Sequence, residues 1–323
     1  MHRKYLMSGI LVLAAILSAW GQTCCSGGVP VSSNLGFAAA DQGTLQLSVA
    51  TDVLLLRSLF AKDVRLADAG RQRTTTSLLF RAAYNPAARL TVETLLPYVR
   101  QSRTIERSVG ADDVATTRGI GDGALLVIYD AVRAHPTIRL GTGVRIPLGD
   151  SDTRNDQGIF FVEDLQAGSG AWDGLLFASF EVAPSTRPSA TTYLNAIYRV
   201  TGTNRESRGG TQAYRFGNEL QLIAGYNDQY FTLGQLWNSG AGLRYRSVQR
   251  DAIDGFKNTG TGGRFLFVRL QHGIALGDHL LEANLELPLY RYVNETQLTP
   301  TVAFGLGWYT QINFSKPQRI FMQ

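Results

Sequence analysis

The chain has 323 residues, of which 44% are hydrophobic, 10% aromatic and 18% charged, and its mean hydropathy is -0.05. That balance is too polar for a bundle of membrane helices, and it fits a large β domain with one apolar and one wet face. The net charge of +5 comes almost wholly from arginine, since Lys4, Lys62, Lys257 and Lys316 are the only lysines; the arginines are scattered singly and form no nucleic-acid-binding stripe.

Arg3 and Lys4 precede an uncharged apolar stretch from Tyr5 to Leu17, too short to span a bilayer, and Ala19 and Gly21 supply small residues at the positions a signal peptidase reads. Residues 1–21 are therefore expected to be a signal peptide cleaved before Gln22, followed by a periplasmic tail over 22–43. That tail holds the only cysteines, the adjacent Cys24 and Cys25, which could pair with each other, bind a soft metal or cross-link to a partner. Two thiolates alone make an incomplete zinc site, so no metal or other cofactor is expected.

No later stretch is long and apolar enough for a membrane helix, while alternation with period two recurs. In chain order it marks strands over 45–56, 76–84, 89–100, 123–130, 137–148, 174–183, 191–201, 214–226, 230–246, 264–276, 281–289 and 302–314. The clearest puts Ile138, Leu140, Thr142, Val144 and Ile146 on one face and Arg139, Gly141, Gly143 and Arg145 on the other. Short connections at 85–88, 131–136, 184–190, 227–229 and 277–279 alternate with long ones at 61–75, 101–119, 149–173, 202–213 and 247–263. The fold this predicts is all-β: a transmembrane antiparallel up-and-down β-barrel of about 12 strands over 44–314, with short periplasmic turns, long outer loops, both termini periplasmic and a tail over 315–323. A β-sandwich has no reason to sort its loops in this way. Aromatics near strand ends, such as Tyr84, Tyr98, Trp237 and Trp308, suit an interfacial girdle.

Charge on the lipid side of such a strand is costly, so parity names the wall of the lumen. It assigns Arg139, Arg145, Arg199, Arg215, Glu219, Arg244, Arg246, Arg269, Glu282 and Glu286 to the interior, where arginines and glutamates are expected to pair as a ladder. Nothing in the chain has the layout of an enzyme site. Of four histidines, His2 leaves with the signal, His135 and His279 sit in short turns and His272 faces lipid; Ser169 lacks a nucleophile elbow. Asp150, Asp152, Asn155 and Asp156 crowd one outer loop without the fixed spacing of a calcium cage, and read as a solvated loop.

Three segments, Gly119-Ile120-Gly121-Asp122-Gly123, Ile146-Pro147-Leu148-Gly149-Asp150-Ser151 and Leu165-Gln166-Ala167-Gly168-Ser169-Gly170-Ala171-Trp172-Asp173, carry a family likeness. Here the chain resembles the outer-membrane transporter family of the MetA pathway of phenol degradation, whose members look like fatty-acid-transporter-type barrels. The likeness is one of pattern and covers roughly residues 119–183. It departs at the C-terminus: barrels commonly finish on an aromatic residue that the assembly machinery recognises, whereas this chain runs on from Phe314 to Gln323, with Phe321 the alternative terminal aromatic to an extra tail. The resemblance implies hydrophobic or aromatic compounds as solutes. The residues themselves predict an outer-membrane channel for small solutes, with outer-membrane lipid and the barrel-assembly machinery as partners and no nucleic acid. The rival expectation is a structural or adhesive barrel with a closed lumen that docks a periplasmic partner.

Overall fold

Alternating sequences of this kind fold by handing every backbone amide to a neighbouring strand, and here the ladder closes on itself. The computed structural model describes residues 22–23, 37, 39–67, 70–106 and 110–314; the expected signal peptide core, Cys24, Cys25 and the tail 315–323 lie outside them. The strands are β1 (Thr44–Lys62), β2 (Arg71–Ala87), β3 (Leu90–Ile105), β4 (Asp113–Ile120), β5 (Gly123–Val132), β6 (Thr137–Ile146), β7 (Asp173–Val182), β8 (Ala190–Val200), β9 (Glu219–Thr232), β10 (Gln235–Val248), β11 (Gly263–Leu276) and β12 (His279–Asn313). Eleven of them form an antiparallel ring that β12 closes against β1, while β4 continues β5 along the upper half of β3. Gln22–Thr23 runs parallel to Gln297–Leu298. Among the described residues no helix is long and apolar enough to cross a membrane.

β12 is 35 residues long. Straight, it would reach about 115 Å, roughly twice the span of the 14- and 19-residue strands it pairs with. It is not straight. Residues 279–293 pair with β11 and residues 293–313 with β1, and the two halves touch each other: Thr310 donates a hydrogen bond to the Asp278 carbonyl at 3.2 Å, Arg291 donates to the Pro300 carbonyl at 3.0 Å, and the His279 and Trp308 rings lie 5.3 Å apart. The chain reverses near Val293–Thr296.

Every other side chain faces outward. Leu140, Leu176, Leu194, Leu243, Leu270, Leu285 and Leu306 are exposed large apolar residues on that face, with the exposed Tyr226 and Tyr84 near the short turns. The opposite parity faces a filled interior. On the β2–β8 side its middle is apolar: Leu79, Leu95, Leu126, Ile128, Leu175, Phe177 and Ile197 form one buried cluster. Sequence alternation was blurred there because both faces of these strands are apolar.

Three boundaries differ from the sequence reading. The turn expected at 227–229 lies instead at Leu233-Gly234, with φ of 52° and 74°, the left-handed pair that a two-residue hairpin requires. Asn227 stays in the wall because its Oδ1 accepts a hydrogen bond from Gln271 Nε2 at 2.7 Å. The region 101–119, expected as a loop, holds the end of β3 and nearly all of β4, whose outward face of Val114, Thr116, Arg118 and Ile120 mixes apolar and polar residues and so offers no continuous apolar stripe to read. Finally, the expected strand 214–226 is split. Tyr214–Arg215 pairs with Ala252–Ile253 in a small separate sheet, and the wall strand begins only at Glu219.

Replacing Leu270, at the middle of β11 on the outward face, by arginine is expected to cost about 2–4 kcal/mol if that face meets hydrocarbon. Denaturant unfolding from lipid vesicles, followed by tryptophan fluorescence, measures this; a loss below about 0.5 kcal/mol, usual for an exposed position on a soluble protein, would argue against a lipid-facing wall.

Candidate functional site: the lumen and its cap

Parity places the predicted wall residues inside the barrel. Arg139, Arg145, Arg199, Glu219, Arg244, Arg246, Arg269 and Glu286 are all buried, and Glu282 is half-buried. Arg215 is the correction: it is exposed and lies in the small sheet among the long loops, because the chain leaves the strand at Phe216–Asn218 and period-two parity does not carry across that break. The pairing is a ladder along adjacent strands. Glu219 on β9 takes Arg246 of β10 at 2.9 Å and Arg199 of β8 at 3.4 Å; Glu286 of β12 takes Arg244, whose Nε lies 3.1 Å from Oε2. Arg244 and Arg246 also lie over the Phe267 and Phe265 rings, at 4.3 and 6.0 Å. Buried guanidinium groups are thus paired and stacked, as their desolvation demands.

Sequence reasoning missed half of the partners. Asp130 pairs with Arg139 at 3.4 Å and Glu93 with Arg81 at 3.0 Å, all at the short-turn end. Phe37 reaches this layer from the N-terminal segment: its amide donates to Glu93 at 3.2 Å, its carbonyl accepts from Arg139, and its ring lies 4.0 Å from the Arg81 guanidinium. Alternation around Arg81, Glu93 and Asp130 could have found the wall residues; nothing local could have found Phe37.

At the other end the cap is built by the segments that carry the family likeness. Asp122, in the bulge between β4 and β5, accepts the Ser169 amide at 2.9 Å and the Gly149 amide at 3.4 Å, and pairs with Arg145 at 3.2 Å. Gly149 and Gly168 pack so closely that a Cβ on Gly168 would lie 2.3 Å from the Gly149 carbonyl oxygen. This joint folds residues 149–172 inward, where Leu165, Gln166 and Ala167 are buried. Gln101 donates to the Gln166 carbonyl at 2.8 Å, Thr117 donates to the Leu165 carbonyl, and Arg73 pairs with Asp164 at 2.8 Å. Burial raises the Asp164 carboxyl above its ordinary range against the pull of Arg73. The oxygen-rich stretch serves the backbone: Asp150 accepts the Asp152 amide, Asp152 the Arg208 amide, and Asn155 the amides of Gln157 and Ile159. Among the described residues no cluster has the makings of a metal site.

A second joint among the long loops is titratable. Tyr214 donates to Asp251 at 2.6 Å and the Gly217 amide donates to it at 2.7 Å. Burial pushes the Asp251 carboxyl up to about 6, and pushes the Tyr214 phenol well above its ordinary range.

Between the cap and the short turns lies a cavity of about 720 Å³. It reaches the turn residues Ser189 and Asp278 at its mouth, and amides and hydroxyls such as Gln46, Tyr193, Asn195, Asn238 and Tyr309 line it beside Glu282. The side-chain Oδ1 atoms of Asn195 and Asn238 are buried without a hydrogen-bond partner among the described residues.

The COG4313 outer membrane channel from Pseudomonas putida F1 superposes with a TM-score of 0.67 at 16% identity, over 86% of this chain and 99% of that one. The two chains share a fold. The β domain of the Bordetella autotransporter BrkA (TM-score 0.47, 12% identity, 84% of this chain and 100% of that one) is a looser likeness. So is the translocator domain of NalP from Neisseria meningitidis (TM-score 0.46, 12% identity, 84% and 89%). No protein-family model and no curated protein matches the sequence.

Two outcomes follow for the cap. Asp122→Ala strips two amides of their acceptor and leaves buried Arg145 with only the more distant Asp173, at 3.6 Å, of its two acids, a loss of about 1–3 kcal/mol at the joint; trypsin should then cut faster at Arg154 than in the parent, in a barrel that still resists unfolding. The Asp251 carboxyl prefers its protonated form in the fold, so its contribution is complete below the ordinary carboxylate value near 3.8 and is lost as pH rises through about 6. Amide exchange over 213–217 should speed up across that window, and Asp251→Asn should flatten the dependence.

Proposed function

We propose that this chain is an outer-membrane channel for small polar solutes, exported by its N-terminal signal, with twelve crossings and both termini in the periplasm. Twelve follows if β12 counts twice, since its two halves run in opposite senses, and an even number is what a single-chain bacterial barrel uses. The observation that carries the reading is the cavity of about 720 Å³, held inside a closed ring and open toward the short turns. A barrel serving only as a scaffold has no need of a large hollow lined with hydrogen-bonding groups. The fold shared with an outer membrane channel supports it. The converging motif segments keep the MetA-pathway resemblance in view, but the cavity's amides and hydroxyls suit a solute that hydrogen-bonds better than an oil. In this reading Glu282 and Arg269 face the solute, and the Arg199–Glu219–Arg246 and Arg244–Glu286 pairs form the constriction above it.

One observation favours the rival reading of a closed structural barrel. The segment 149–172 caps the lumen through buried bonds at Arg73, Gln101, Thr117 and Asp122. Planar-bilayer recording of the refolded, signal-free protein separates the two. A channel shows discrete openings, and Asp122→Ala, by releasing the cap, raises conductance or open time several-fold. A folded barrel silent in both forms is a scaffold.

A further inference from the structure

The outward surface changes character at one row of the sheet. Across β2, β3 and β4, Leu78 is registered with Tyr98 and Tyr98 with Ile120, and Tyr98 and Ile120 are 43% and 51% exposed. Two residues further toward the long-loop end, the next outward row is Thr76, Arg100 and Arg118; the one after is Thr74, Ser102 and Thr116. That these arginines point outward follows from their neighbours, since Val99 and Thr117 are buried inside the wall. Both arginines are exposed.

Arg100 and Arg118 stand directly opposite one another in the ladder. Like charges so placed repel, and neither guanidinium has an ion-pair or hydrogen-bond partner among the described residues. Inside the barrel Arg81, Arg139, Arg145, Arg199 and Arg246 each meet an acid; this outward pair, two arginines face to face in one ladder rung, has none among the described residues. Two guanidinium forks side by side match the oxygens of a phosphate, and the hydroxyls of Thr76, Ser102 and Thr116 flank them; Ser102 and Thr116 lie 3.2 Å apart. Immediately below, the surface is apolar, continuing from Tyr98 and Ile120 to Leu96, Phe80 and Leu125. A free anion has no use for that surface. An amphiphile has.

We propose that Arg100 and Arg118 form a docking site for the phosphorylated headgroup of a lipid in the leaflet nearest the long loops, with its acyl chains lying along the Tyr98–Ile120 side of the wall. The proposal rests on the membrane-barrel reading but not on conduction, so a silent barrel leaves it standing. The site is open to the side, which suits a ligand arriving laterally from the bilayer, and its row sits where the cost of outward charge has fallen to nearly nothing.

The test uses the refolded barrel in uncharged detergent, probed by native mass spectrometry with diphosphoryl lipid A, with digalactosyl diacylglycerol as an uncharged control, and with inorganic phosphate as competitor. The parent should retain one diphosphoryl lipid A, bind the control at least tenfold less, and keep its lipid against millimolar phosphate. The variant R100Q/R118Q should lose at least tenfold in lipid A retention while keeping heat-modifiable gel mobility; R100K/R118K, which keeps the charge without the forks, should fall between. If the double glutamine variant does not fold, R118Q alone is expected to lose several-fold. Equal retention by folded parent and glutamine variants, equal binding of the uncharged lipid, or displacement by inorganic phosphate would each overturn the proposal.

Discussion

A strand that crosses hydrocarbon has no water to satisfy its amides, and so the contact on which everything else depends is the closure of β12 on β1. With the ring shut, every central strand has two partners, and pleating sends alternate side chains to two different solvents. The outward set is then selected for oil and the inward set for whatever can fill or line a tube. Both the outward-facing leucines and the buried arginines of this chain are consequences of that single geometric fact.

The inward set does two different jobs along the axis. Toward the long loops it is packed: phenylalanines, ion pairs and an infolded segment leave little room. Toward the short turns, β9 to β12 place small residues inward, such as Gly225, Gly240, Gly273 and Gly305, and a hollow remains. The expense of burying so many guanidinium groups is met by sharing carboxylates, as Glu219 does between Arg199 and Arg246. Shared acids of this kind hold the wall in one arrangement, because no arginine can leave without stranding a charge.

The cap shows how motif and mechanism meet. Asp122, Gly149 and Gly168 are distant in sequence and look like separate loop signals, yet they close on one another to form a single joint. An aspartate that takes two amides and a guanidinium is a latch, and the glycines are there because nothing larger fits between the two backbones.

The sequence by itself determined which side of each strand is wet. Arg139, Arg145, Arg199 and Glu219 declared themselves through parity alone, since a period of two is local and a charge facing oil is expensive. Length sorted the loops into two ends for the same reason. Only the tertiary structure decided who meets whom. It put Arg215 outside the wall, moved a turn to Leu233-Gly234, matched Arg145 with Asp122 and Arg81 with Glu93, and folded residues 149–172 into the lumen. Alternation reports a face but not a depth or a partner; those depend on register between strands and on loops that return from far along the chain.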